Sequence, residues 1–403
     1  MTYDIGIIGG GIVGAATFYQ LQTRYPDLKI ILVEKEKELA AHQTGHNSGV
    51  LHSGLYYKPG SLKARNCREG LTEIVEFSKK YGIAHDVCGK VVVAVEESEL
   101  LGMEKIYQIG LENKMPGLRK LSREEVKEIE PAVEAIAGLL VPSTGIIDYV
   151  GATKKMVEVA LTKNPESKLV LDERVIGIQH VNGVEHLKTT KQVYKIKNSI
   201  FCGGLQADRL AKMDGVKVRE RVVGFRGDYY KFADHARHKV KNLIYPVPNP
   251  DFPFLGVHFT RMVDGNIEAG PNAVFTFKRE GYGKTDFNLR DAFNAGTYIG
   301  TWKLFLSNLG FAYNEYRRAF SKKLFLKTLQ RMIPSLEMDD LIHGGSGVRA
   351  LLLSPDGDTR DDFRIEYRDG SIHVLNAPSP AATASLAIGR HISDMAKDKF
   401  GLG

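Results

Sequence analysis

Apolar positions along the chain alternate between short continuous runs and helical periodicity. Asp4-Ile-Gly-Ile-Ile8 is an apolar run that ends in glycines, and Lys29-Ile-Ile-Leu-Val33 is a second that ends in Glu34. Runs this short, bounded by glycine or acid, predict buried strands. Between them, Ala15 to Leu21 has helix composition. Further on, 61–82, Leu100 to Asn113 and Val150 to Lys163 predict amphipathic helices, and Ser122-Arg-Glu-Glu125 is a capping box opening another. Strands are predicted at Val87–Val95, Gly138–Val141 and Lys168–Asp172, with a turn at Ile146–Asp148. From Val175 to Ile200 the pattern is a meander turning at Asn182-Gly183. Val222 to Ala269 is strand-rich and aromatic, and Asp291 to Gln330 is helical. Asp340 to Arg349 predicts a strand and a glycine turn. Phe363–Tyr367 and Ile372–Leu375 predict a hairpin over Asp369-Gly370, and Asn376 to Gly389 opens a last helix.

Strand–glycine–helix units thus recur at the start, the middle (Ser199 to Leu210) and the end. They imply an α/β protein, α+β overall: a Rossmann-like nucleotide-binding domain assembled from three stretches, with an inserted strand-rich substrate domain. The boundaries predicted are 1–85, 145–220 and 335–403 for the first, and 86–144 and 221–334 for the second. A length of 403 residues suits two or three domains.

The first unit carries the chemistry. Gly9-x-Gly11-x-x-Gly14 follows a strand and opens a helix, and Glu34 ends the next strand twenty residues later. Gly9 makes a tight turn, Gly11 lets the backbone approach a pyrophosphate, and Gly14 permits close helix–strand packing. The helix N-terminus faces the anion and Glu34 accepts from a ribose. This spacing does not separate NAD from FAD. The stretch Gln43 to Tyr57 is rich in small hydrogen-bonding residues, which suits a second contact with a long ligand.

Charge alters the picture in one place. Net charge is +7, and the segment Lys278–Arg331 has eleven Lys and Arg against four Asp and Glu. Phe293 to Phe320 within it contains Tyr298, Trp302, Leu304, Phe305, Leu309, Phe311 and Tyr313, flanked by Lys303, Arg317, Arg318, Lys322 and Lys323. Two readings stand: a peripheral contact with an anionic membrane through about 293–323, or a core-packed helix pair with a solvated basic face. No nucleic-acid motif accompanies the charge, so no nucleic-acid partner is expected. Cys67, Cys88 and Cys202 have no pairing or zinc-ligand spacing, so neither a disulfide framework nor a metal site is expected. No apolar run is long enough to span a bilayer and no secretory leader is expected.

The stretches HNSGVLHSGLYY, FRGDYYKF, YPVPNPDFPFLGVHFTRMVDGNIEAGPNAV and SGVRALLLSPDGD…DDFRIEYRDGSIHVLNAPSPAATASLAIGR add a resemblance. The chain resembles the D-amino-acid-oxidase-type FAD flavoproteins, and within them the L-2-hydroxyglutarate dehydrogenase/oxidase family, from residue 4 to 390. One departure is Phe201-Cys-Gly-Gly204, where many relatives carry a Cys/Ala-Ala-Gly turn. The resemblance implies non-covalent FAD and oxidation of L-2-hydroxyglutarate to 2-oxoglutarate, with electrons passed to a quinone pool or O2. It implies a cytoplasmic enzyme, peripheral on the inner membrane face if the basic segment docks. The same-fold alternative is another small anionic substrate, glycerol 3-phosphate or an amino acid. An NAD-dependent dehydrogenase would leave 43–57 and 376–389 unexplained.

The cofactor set this reading gives is Gly9, Gly11, Ile12, Val13, Gly14, Glu34 and Lys35; Thr44, His46, Asn47, Ser48 and Gly49; Val175, Gly203 and Gly204; and Gly347 with Ser379, Pro380, Ala381, Ala382 and Thr383. The last group is expected to aim a helix N-terminus at the reduced ring. His52 and His258 are the candidate bases, since imidazole titrates near neutrality. Alternation puts His258 and Thr260 on one strand face and Phe259 and Arg261 on the other. Arg226, Arg261 and Arg349, with the Tyr245 hydroxyl, are the candidates for holding a dicarboxylate. His180, His186, His235 and His238 are expected in solvent.

Overall fold

The computed structural model describes residues 1–248, 256–359 and 362–403. Residues 249–255 of the strand-rich stretch therefore lie outside the described residues.

The apolar runs become strands because both of their faces are covered. Thr2–Ile8, Ile30–Val33, Lys168–Val170, Val193–Phe201 and Ser371–Asn376 run parallel in one sheet. Ile5, Ile7, Ile30 and Leu32 pack against helices Ile12–Arg24, Tyr149–Lys163 and Ser385–Phe400. Ile31 and Val33 face the other way, onto Val175, Leu187 and Tyr194 of the meander. Burial on both sides is what parallel strands require. The meander is Val175–Val181, Val184–Thr189 and the first part of Val193–Phe201. It turns at Asn182-Gly183, where φ is positive at both residues (51° and 75°). His180, expected in solvent, reaches the buried carboxylate of Asp214 at 2.7 Å.

A second sheet supplies a wall. In spatial order its strands are Val274–Thr276, Arg221–Phe232, Ile267–Gly270, His258–Arg261, Leu243–Pro246, Lys90–Ala94, Ala137–Val141 and Arg119–Leu121. All neighbours are antiparallel except Leu243–Pro246 with Lys90–Ala94. One face is sealed: Val91, Val93, Ile244 and Phe259 pack against Phe325, Leu326 and Leu329 of helix Lys322–Leu329. The other face, with Val92 and Tyr245, turns toward Val50 and Leu55.

Three expectations are corrected. Ile146–Asp148 is not a turn, because Gly145–Ile147 is a strand held by both Val50–Leu51 and His85–Asp86. Asp148 alone leaves it, and its side chain caps helix Tyr149–Lys163 at Gly151. Asp340 to Arg349 contains no glycine turn: Leu341–Leu353 is one strand paired along Arg221–Phe232. That strand belongs to the second sheet, so the segment 335–403, allotted to the nucleotide-binding domain, contributes to both sheets. Its Gly347 serves close approach instead, since a Cβ there would stand 2.3 Å from the His46 carbonyl oxygen. The last helix begins at Ser385 rather than at the start of 376–389, and residues 381–384 form a turn ahead of it.

Candidate active site

The first sheet ends in a cradle. Gly9 has φ of 117°, open to glycine, and a Cβ there would lie 2.4 Å from the Cys202 carbonyl oxygen. Gly11 is the cap of helix Ile12–Arg24 and offers it no side chain; Ile12 N–H instead donates to Thr44 Oγ1 at 3.0 Å. Glu34 is buried, and its two carboxylate oxygens accept from Gly10 N–H (2.6 Å) and Glu36 N–H (2.9 Å). Each oxygen keeps a lone pair for a ribose hydroxyl. Gly203 and Gly204 follow the strand Val193–Phe201, and a Cβ on Gly204 would stand 2.9 Å from Gln43 Oε1. These three turns therefore meet. A helix N-terminus beside glycine turns and a buried acid fits an anionic dinucleotide.

The other residues of the expected cofactor set divide. Val13 lies in the first helical turn. Val175 is buried with Ile31 and Val33, at an irregularity in its ladder. The Lys35 ammonium is held by Glu36 and by Glu280 (3.0 Å), within an ion cluster. Asn47 builds its own loop: its amide donates to the Gln43 and Thr44 carbonyls and its oxygen accepts from Gly49 N–H. Ser48 lies within that loop, half-buried. His46 Nδ1 donates to the Ser346 carbonyl at 2.9 Å and its ring stacks on Tyr282 at 3.9 Å. Ser379 and Pro380 lead into the turn before the last helix, and Ala381 and Ala382 lie in it. Thr383 is fully buried in it: its Oγ1 accepts from His52 N–H (3.1 Å) and bonds the Tyr149 hydroxyl (2.7 Å). That knot fixes the His52 loop directly against the turn.

The sheet register assembles the remaining groups. Ile244 pairs with Phe259 and Leu243 with Thr260, which sets Tyr245 opposite His258. Their rings stack at 4.0 Å. Tyr245 also pairs with Val92 of the parallel neighbour, and Lys90, two residues earlier, shares that face. His258 pairs with Gly270, and the next strand brings Tyr229 to the same row. Arg349 pairs with Phe225, four residues from Tyr229 on the same face. Lys90, Tyr245, His258, Tyr229 and Arg349 thus share one sheet face. His52 approaches it from the loop: Lys90, His258 and Arg349 all act on its charge.

Electrostatics here are unusual. Burial first, then these cations, drives His52 and His258 down to about 3, so both imidazoles are neutral. Lys90, 2% exposed, is pushed down to about 7 by burial. Its Nζ lies 4.7 Å from the ring centres of both Tyr56 and Tyr245. Among the described residues the Tyr56 and Tyr245 hydroxyls are buried without a hydrogen-bond partner, although Thr260 lies near the second. Such orphaned groups each cost about 1–3 kcal/mol, which a ligand would recover.

Two expected clamps are not in this cluster. Arg226 lies on the opposite sheet face from Arg349. It is buried, with Nε 2.8 Å from Asp228 Oδ1 and Nη1 donating to the Gly283 carbonyl. Arg261 alternates away from His258 and pairs with Asp86. Lys90, Tyr56 and Tyr229 escaped the sequence reading. The signal for Lys90 was a lone cation heading the apolar run Lys90-Val-Val-Val-Ala94.

Comparisons agree with this geometry. The FAD dependent oxidoreductase family model (DAO) matches residues 4–395. L-2-hydroxyglutarate dehydrogenase of Indibacter alkaliphilus is 43% identical over 401 residues, 99% of this chain and 100% of that protein. The mitochondrial L-2-hydroxyglutarate dehydrogenase of Nematostella vectensis is 42% identical, covering 99% and 91%. Among solved structures, L-alpha-glycerophosphate oxidase from Mycoplasma pneumoniae with FAD bound superposes with a TM-score of 0.77. It is 24% identical, covering 98% of this chain and 94% of that one, a likeness of fold alone.

Proposed function

The chain belongs to the FAD-dependent oxidoreductases and, within them, to the L-2-hydroxyglutarate dehydrogenases, and on that premise we propose that it oxidises L-2-hydroxyglutarate to 2-oxoglutarate. The observation that carries the reading is the single sheet face on which neutral His258 stands between two cations, Lys90 and Arg349. Bound in the glycine cradle without a covalent link, FAD supplies the acceptor for the hydride that leaves C2.

The protein must take the hydroxyl proton and hold the carboxylates. His258 Nδ1 lies 3.0 Å from the Gly256 carbonyl, which can only accept. The ring proton therefore sits on Nδ1, and Nε2 keeps the lone pair that receives the substrate proton. The negative charge of a bound dianion strengthens this base, offsetting the cations that weaken it. Arg349 offers a guanidinium fork to one carboxylate. The Tyr245 hydroxyl is a further donor. The glycerol 3-phosphate and amino acid alternatives rest on likeness of fold below 25% identity.

The test is anaerobic mixing with L-2-hydroxyglutarate, its D-enantiomer and L-lactate, following flavin bleaching. L-Lactate lacks one charge-assisted contact, each contributing about 1.5–3 kcal/mol, and should be roughly ten- to a hundredfold slower. Equal rates for the two L-acids would remove the dicarboxylate reading.

A second observation bears on the electron acceptor. Leu289–Gly296, Ile299–Ser307 and Leu309–Phe320 split the apolar positions of the basic segment. Tyr298, Leu304 and Phe305 pack inward. Leu289, Phe293, Ile299, Trp302, Leu306, Leu309, Tyr313 and Phe320 are each more than half exposed. Arg290, Lys303, Arg317 and Lys323 stand exposed among them. No helix of the described residues is long and apolar enough to cross a membrane. Large exposed apolar side chains beside cations suit an anionic lipid surface, and we propose peripheral docking there with a lipid-dissolved quinone as acceptor, rather than O2. The enzyme should float with vesicles containing phosphatidylglycerol at low salt and release as salt rises. Replacing Phe293, Trp302 and Leu306 by Ser should abolish flotation while flavin reduction continues. No flotation at any salt would mean that the acceptor comes to the enzyme.

A further inference from the structure

The Lys90 ammonium is buried in the cluster with no counter-charge among the described residues. It heads the strand Lys90–Ala94 and points to the face shared with Tyr245 and His258. Among the described residues no carboxylate pairs with it; its close neighbours are the Tyr56 and Tyr245 rings. A buried ammonium without a counter-charge, beside hydroxyls that the described residues leave short of partners, is costly to leave so unless an anion joins them.

We propose that Lys90 selects a dicarboxylate substrate: its ammonium, with the Tyr56 and Tyr245 hydroxyls, receives the carboxylate remote from the reacting carbon. This rests on the reaction proposed above and names the determinant of chain length and charge within it. The geometry assigns the ends. Arg349 stands at the solvent-exposed end of the row and Lys90 at its closed end, with His258 between. A substrate whose C2 hydroxyl meets His258 has its first carboxylate toward Arg349 and its side chain toward Lys90. A side chain ending in a methyl group would leave the ammonium and both hydroxyls unpaired. A site that buries polar groups rejects a ligand that cannot pair them more strongly than an apolar pocket rejects a wrong shape.

Binding should then carry a proton. The groups around Lys90 are Cys67 from helix Leu62–Tyr81, His52 and Tyr56 from the loop, Tyr245 and His258 from the sheet, and Arg349 beyond them. Burial pushes the Cys67 thiol up to about 12, and the two His are neutral above about 3. Between pH 6 and 9, Lys90, near 7, is the member that changes charge. Its charged form binds the anion, so affinity is retained below that pH and lost above it, by up to about tenfold per pH unit.

The experiment titrates the FAD-loaded enzyme with glutarate and with butyrate, neither of which can be oxidised, following the flavin absorbance. Glutarate should bind the wild type more weakly as pH rises from 7 to 9, and butyrate should not. In Lys90→Met, glutarate affinity should fall about ten- to a hundredfold and its pH dependence vanish, with butyrate changed less than twofold. Lys90→Gln is a second variant should the first not fold, and the wild-type pH series needs neither. Unchanged glutarate affinity in the variant, or equal losses for both acids, would overturn the assignment. Whether wild-type flavin is bleached by L-2-hydroxyglutarate is read from the same preparation. Failure there would instead overturn the reaction, so the two failures are separable.

Discussion

Exchanging His258 for alanine is expected to slow flavin reduction by L-2-hydroxyglutarate by about 10²–10⁴-fold, the usual contribution of a positioned general base. The loss should fall on kcat with KM little changed, because the imidazole acts on the proton in flight rather than on the carboxylates. FAD content should be normal, since His258 lies on the second sheet and the glycine cradle on the first. The pH profile provides a second signature. An ordinary histidine base would lose activity below about 6.5. His258 is held down to about 3 by burial and by Arg349 and Lys90, so kcat/KM should be flat to within about twofold from pH 7 to pH 5, the small rise coming from Lys90 becoming fully charged. His52→Ala should retain the flat profile. Rapid-mixing absorbance of both variants decides: wild-type reduction in His258→Ala with collapse in His52→Ala would transfer the role, and normal rates in both would exclude the pair.

Gly14→Ala is expected to yield protein largely free of flavin and less stable. A Cβ at Gly14 would stand 2.0 Å from the Gly9 carbonyl oxygen and 3.5 Å from Cys202 Cβ. The first of these is backbone, so no rotamer relieves it; the helix must move off the turn by more than 1 Å. Such overpacking costs about 1–3 kcal/mol, and here it also displaces the N–H groups aimed at the pyrophosphate. FAD affinity should fall at least tenfold, about 1.4 kcal/mol. Gly183→Ala is the matched control. Its φ of 75° disfavours a side chain, but nothing lies within 4 Å, so only local strain results. Flavin absorbance against protein and the melting temperature report both. Full flavin retention with unchanged melting in Gly14→Ala would refute the close-packing argument.

What the sequence determined by itself is local in origin. Gly9, Gly11, Gly14 and Glu34 fall within one strand–helix–strand unit, where backbone sterics and hydrogen-bond geometry act over a few residues. The meander turn at Asn182-Gly183 and the capping box at Ser122 and Glu125 are of the same kind. The chemistry of single cations is different, because it depends on what the fold sets across from each. Arg226 and Arg261 looked like carboxylate clamps, yet Asp228 and Asp86 neutralise them. Arg226-Gly-Asp228 did carry a local hint, since residues two apart in a strand share a face. Asp86 lies 175 residues from Arg261, and no spacing announces it. Gly347 looked like a turn residue because the carbonyl of His46 that it accommodates comes from the other end of the chain. Lys90 read as the edge of an apolar run. Tertiary structure buried it between two tyrosine rings, within range of two histidines and facing no carboxylate among the described residues. Burial raises the energy of an unpaired charge, and that energy is what makes a surface-type residue into a binding group.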